Sequence, residues 1–192
     1  LNKDHNRTWD ESDISPCGYW IRGGLPYVCP IGWTRVALST PTFPEKWAVA
    51  FHGTKPELLN SILRDSLLRP GDRPTAAGAS VLRPPQGHIA RGTEVFGESD
   101  FTEHLFCSPC WEYAAHHAYA RPFKYNGKSY QVMLQLRVNP EAIKTNQETV
   151  GASCSGRKFS PVYPNEEIEW RIKDPKNVCV YALCFRELPE SS

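Results

Sequence analysis

The residues able to do chemistry fall in three short segments. The first, His52-Gly53-Thr54, follows the apolar run from Trp47 to Phe51. An imidazole at a strand end can hydrogen-bond a sugar hydroxyl, and a glycine beside it lets the backbone approach a flat amide closely. A His-Gly pair is also an ordinary turn, so this segment alone decides little. The second runs from Phe106-Cys107-Ser108-Pro109 to a stretch of small residues between Tyr113 and Tyr119. There a tyrosine ring could stack on a nicotinamide while Ser108 or a nearby hydroxyl binds its carboxamide. Helix packing is the plainer account of Tyr113 and Trp111 taken singly. The third is Asn165 to Ile172, NEEIEWRI. In a strand Glu167 and Glu169 share one face, while Ile168, Trp170 and Ile172 share the other. A carboxylate beside a ribose accepts hydrogen bonds from its hydroxyls and stabilises the oxocarbenium character that develops as nicotinamide leaves. The plain alternative is a solvated edge strand.

Short strands and turns must position these groups. The run 47–51 reads as a strand leading into a helix, with Thr54 and Glu57 at capping-box spacing and Leu58, Leu59, Ile62 and Leu63 as its apolar stripe. Residues 70–92, rich in Pro, Gly and Ala, read as a long loop. His104 to Cys107 reads as a strand, and Ser108-Pro109 as the N-cap and first residue of a helix reaching Tyr119. Residues 129–138 alternate, with Tyr130, Val132, Leu134, Leu136 and Val138 on one face, and 168–172 and 178–185 supply further strands. The expected class is α+β, with an irregular N-terminal layer over 1–45, anchored by Trp20, Tyr27 and Trp33, packed on a core of 46–192 in one structural domain.

Composition narrows the partners. The chain has 192 residues, 40% of them hydrophobic, and 22 Lys+Arg stand against 21 Asp+Glu. That length suits one domain, and the near-neutral charge gives no electrostatic grip on nucleic acid or an acidic membrane. No apolar run is long enough to span a bilayer, and a soluble monomer is expected. Seven cysteines at irregular spacing do not read as a disulfide framework, which favours a reducing compartment. His104, Cys107 and Cys110, with Cys17 and Cys29, could hold zinc. Cys107 within Leu-Phe-Cys reads more simply as a small packed hydrophobe, and no metal is expected.

His52-Gly53-Thr54 after a strand, a tyrosine-bearing helix EYAAHHAYA after Ser108-Pro109, and a late Glu169-Trp-Arg-Ile-Lys-Asp-Pro strand resemble, in that order, the histidine-class ADP-ribosyltransferases related to poly(ADP-ribose) polymerases. The resemblance covers residues 46 to 186. It implies two small antiparallel sheets forming a split cleft for NAD, which is the substrate. It implies that His52 binds the adenosine ribose, that Gly53 holds the nicotinamide carboxamide through its backbone, that Tyr119 or Tyr113 stacks on nicotinamide, and that Glu169 is the catalytic glutamate. Thr54, Phe106 and Ser108 complete the implied cofactor site. Glu167 falls where related arginine-modifying enzymes keep an acceptor-side glutamate.

Phe106 stands where polymerases carry a tyrosine, and 1–45 match no polymerase regulatory region, so a single transfer is favoured over chain elongation. The N-terminal layer joined to WAVAFHGT is similar to a subfamily found in Neuralized-like proteins and in certain bacterial effectors, including a Chromobacterium group that attaches ADP-ribose to a threonine of ubiquitin. That closer likeness implies an acceptor protein such as ubiquitin and action in a host cytosol. A module that binds NAD or ADP-ribose without chemistry, and a nucleic-acid-modifying relative, remain as alternatives.

Overall fold

A computed structural model describes residues 3–39, 44–69, 72, 103–152 and 155–189. Apart from Asp72, the loop expected over 70–92 lies outside them. The strands are β1 (Arg7–Thr8), β2 (Trp20–Arg22), β3 (Leu25–Tyr27), β4 (Thr34–Ala37), β5 (Ala48–Gly53), β6 (Leu105–Cys107), β7 (Phe123–Tyr125), β8 (Lys128–Val138), β9 (Lys144–Asn146), β10 (Glu169–Ile172) and β11 (Val178–Leu188). Two short α-helices, α1 (Leu59–Asp65) and α2 (Trp111–Ala114), and several single 3₁₀ turns join them. The class is thus mixed, with small antiparallel sheets and few helices. Among the described residues no helix is long and apolar enough to cross a membrane.

The larger sheet runs β1-β4-β11-β8-β5, with β7 paired to the start of β8, and a three-stranded sheet runs β6-β10-β9. β8 and β11 are long because Val, Leu and Tyr recur through them, and such residues fit a pleated surface packed on both sides. Tyr181 is the extra residue of a bulge in β11, where the register with β8 shifts between Val180 and Ala182. One face of the large sheet meets the small sheet through Ala48, Ala50, Leu134, Leu136, Val138, Leu105, Trp170 and Ile172. The opposite face is covered by Trp9, Cys29, Trp33, Ala114 and Ala115, packed on Val49, Phe51, Met133 and Cys184.

The N-terminal layer expected over 1–45 is less irregular than its turns suggest. β4 pairs with β11, and β1 pairs with β4, so this segment builds part of the sheet. It also carries the β2–β3 hairpin, whose two-residue turn puts Gly23 and Gly24 at φ of +63° and +78°. Both values lie where side chains are disfavoured, the signature of a type I′ turn.

The first expected helix forms only from Leu59, without its expected cap, and the second is cut short. Thr54 does not cap a helix: Pro56 opens a 3₁₀ turn, Lys55 takes the N-cap position without a side-chain bond, and Thr54 is buried. Of the expected stripe, Leu59 and Ile62 pack on the core while Leu58 and Leu63 are exposed. Nor does a helix run from Ser108 to Tyr119. Ser108 is tied into a strand bridge with Phe51, Cys110 holds the N-cap position, and α2 ends at Ala114.

Candidate functional site

β5 closes one side of the large sheet and β6 one side of the small sheet. They touch through one antiparallel bridge, Phe51 N–H to Ser108 O at 2.7 Å and Ser108 N–H to Phe51 O at 2.9 Å. The next residue of β5, His52, reaches across with Nδ1 at 2.7 Å from the Phe106 carbonyl. A carbonyl only accepts, so Nδ1 carries the proton. Burial holds the imidazole below its usual range, opposed by this bond to Phe106. The ring is therefore neutral, and Nε2 is left as an acceptor suited to a ligand hydroxyl.

Gly53 is required first by the protein's own packing. A Cβ there would collide with the Ala114 carbonyl oxygen and come within 2.7 Å of the Tyr119 Cβ. The sequence suggested that the glycine admits a ligand's amide; in the structure it admits the chain that carries Tyr119.

Glu169 is the first residue of β10, paired on its backbone with Asn146 of β9, and is only 5% exposed. Its Oε2 accepts from the Tyr113 hydroxyl at 3.0 Å, while Oε1 is buried without a hydrogen-bond partner among the described residues. Burial raises its carboxyl to about 7; the Tyr113 bond opposes the rise and the charge of Glu148 adds to it. Tyr113 and Tyr119 meet edge to face, with centroids 5.4 Å apart and hydroxyls 2.9 Å apart. Thr149 joins them, its Oγ1 at 2.6 Å from the Tyr119 hydroxyl and its backbone N–H donating to the Tyr113 hydroxyl at 3.0 Å. Burial pushes both phenols up, Tyr119 to about 12, so both are protonated near neutrality.

Of the residues singled out in the sequence, His52, Gly53, Phe106, Ser108, Tyr113, Tyr119 and Glu169 line one cavity, together with Phe51, Cys107 and Ala114. The free volume is about 50 Å³. This is below the roughly 300–1,000 Å³ of a typical small-molecule pocket. Ser108 lines the cavity with its Oγ accepting from Cys110 N–H at 3.1 Å. Thr54 is buried at the end of β5 outside the lining.

Glu167 does not share a strand face with Glu169. The strand begins at Glu169, and Glu167 is exposed in the turn closed by its N–H to the Pro164 carbonyl at 3.0 Å. The second carboxylate that acts on Glu169 is Glu148, buried and accepting from Val150 N–H at 2.7 Å. Nothing in QETVG marks Glu148 or Thr149 in the sequence, since an isolated polar pair in a loop has no spacing to read.

Among the described residues no three His, Cys, Asp or Glu side chains gather as a metal site. The Cys110 thiol donates to the Phe159 carbonyl at 2.9 Å, Cys107 is buried with its thiol pushed up, and the described cysteines are all free. Neither a model of a known protein family nor a curated protein matches the chain.

Proposed function

We propose that the chain is an NAD-dependent protein mono-ADP-ribosyltransferase of the ADP-ribosyltransferase fold. The observation that carries the reading is the Glu169 carboxyl, buried with one oxygen unpartnered among the described residues, in the same cavity as His52, Gly53 and a pair of tyrosines. NAD supplies a glycosidic bond whose electron pair leaves with nicotinamide, neutralising the ring, while an acceptor oxygen bonds the ribose carbon and gives up its proton. Glu169, once ionised, stabilises the positive charge that grows on the sugar. His52 accepts from a ribose hydroxyl through Nε2, and the tyrosines offer an aromatic wall to nicotinamide. A single transfer fits Phe106 in place of the polymerase tyrosine. The acceptor comes from the resemblance alone, which makes a threonine of ubiquitin, reached in a host cytosol, the first to try.

The test is nicotinamide release from NAD by the purified chain, with and without ubiquitin, and mass spectrometry of the acceptor. Glu169→Ala should lower transfer by about 100-fold or more. Retention of over about a tenth of the activity would remove Glu169 from the chemistry. NAD binding with no nicotinamide release by the wild-type chain would favour the binding-module alternative.

A further inference from the structure

When the carboxyl is ionised, the three hydroxyls beside it can align their protons in one direction along the short contacts. A carboxylate only accepts, so the Tyr113 proton is given to Oε2 across 3.0 Å. The Tyr113 oxygen can then only accept, and it takes the backbone N–H of Thr149 at 3.0 Å. Its 2.9 Å contact with Tyr119 must therefore use the Tyr119 proton. Tyr119 has no second proton, so when it bonds Tyr113 the donor in the 2.6 Å contact is Thr149 Oγ1, which also lies 3.4 Å from the Tyr113 hydroxyl. Every proton in the chain points toward Glu169. Such a chain polarises cooperatively, each bond strengthening the next. Oε2 is occupied, and Oε1 has no hydrogen-bond partner among the described residues.

Resting on the transferase reading above, we propose that Thr149 is a positioning residue for Glu169, acting through Tyr119 and Tyr113 to hold Oε2 and leave Oε1 as the oxygen offered to the ligand. Thr149 touches the carboxylate nowhere itself; it supplies the first hydroxyl and a backbone donor. The backbone bond locks the Tyr113 hydroxyl, and the side-chain bond keeps the Tyr119 proton from being drawn to Thr149. The groups whose charge or hydroxyl bears on Glu169 are Tyr113 from α2, Tyr119 from the turn after it, Cys107 from β6 and Glu148 from the segment after β9. Among the described residues of the segment after β9, Thr149 is the one that hydrogen-bonds both tyrosines.

Thr149→Val keeps the branched shape and the backbone N–H and removes the hydroxyl alone. It should lower kcat for nicotinamide release by about tenfold, with KM within about twofold, because the oxygen it orients acts in the transition state. Thr149→Ser should restore kcat to within about twofold of wild type. Carbon NMR of the Glu169 carboxyl should show its titration midpoint moving up in Thr149→Val and in Tyr119→Phe, since a weaker donor favours the ionised form less, and returning in Thr149→Ser. An unchanged midpoint and an unchanged kcat in Thr149→Val would overturn the proposal. So would Thr149→Ser behaving like Thr149→Val, which would assign the effect to the lost methyl. If no variant and no wild-type sample releases nicotinamide, the transferase reading fails, while the NMR midpoints still decide the role of Thr149.

Discussion

Ionising Glu169 inside the protein is unfavourable, because burial carries its carboxyl from an ordinary 4.5 to about 7 despite the Tyr113 bond. Between those values the native state holds the proton more tightly than the unfolded chain does. Stability is therefore greatest below the unfolded value and falls as pH rises through the native one, by on the order of 3 kcal/mol in all. Glu169→Gln removes this cost. The variant should be more stable than wild type at pH 8 by roughly 1–3 kcal/mol and no more stable at pH 4, while losing transfer. Thermal unfolding at the two pH values checks it, and equal Tm values at pH 8 would refute burial of a reluctant carboxylate. Wild-type kcat/KM should rise with pH through about 7, as the competent ionised form fills. On the proposed transferase reading, His52→Ala should raise KM for NAD, since a bond to a ribose hydroxyl would serve both before and during the reaction; full activity at unchanged KM would take His52 out of the site. At this scale the types and order of His52, Tyr113, Tyr119 and Glu169 could be read, and the structure brings them into one cavity. Glu148 and Thr149 were not, because their roles arise only where the segment after β9 meets the tyrosines.

Five of the eleven described strands, β5, β6, β8, β10 and β11, could be read from apolar runs and alternation, and most of their bounds moved by a residue or less. The helix expected from Ser108 to Tyr119 could not be judged, because what ends it lies elsewhere in the chain. Gln131, on the face of β8 that alternation assigns to polar residues, is buried beneath the N-terminal segment and α2. Its Nε2 donates to the carbonyls of Ala115 at 3.0 Å and Ala120 at 2.8 Å, clasping the turn that carries Tyr119. Its Oε1 accepts from Arg186 at 2.8 Å, and that guanidinium lies 4.8 Å from the Trp33 ring and 5.3 Å from the Trp111 ring. Gln131→Leu would strip partners from two carbonyls and a cation, a loss of about 1–3 kcal/mol or more. Amide hydrogen exchange across residues 115–120 should quicken, and kcat should fall as Tyr119 loses its place. Unchanged exchange there would show that the turn holds itself.

In the molecule as a whole the N-terminal segment is structural. Trp9 and Trp33 cover a sheet face, and β4 hydrogen-bonds one side of β11 from Thr34 to Ala37. A fragment of residues 46–192 should therefore fail to fold cooperatively, even though the family resemblance begins at residue 46. Circular dichroism and thermal melting of that fragment would check this, and a cooperative transition would contradict it. The sequence hid this because residues 1–45 show turns and scattered aromatics, whereas their short strands are defined by a partner far along the chain. The sheet order β1-β4-β11-β8-β5 sets the last of the described strands in the middle. During synthesis β4 and β8 emerge with no neighbour between them, and each presents an open edge until Val178–Leu188 has left the ribosome. Closing so distant a pairing late makes for slow folding and leaves strand edges exposed to mispairing in the meantime.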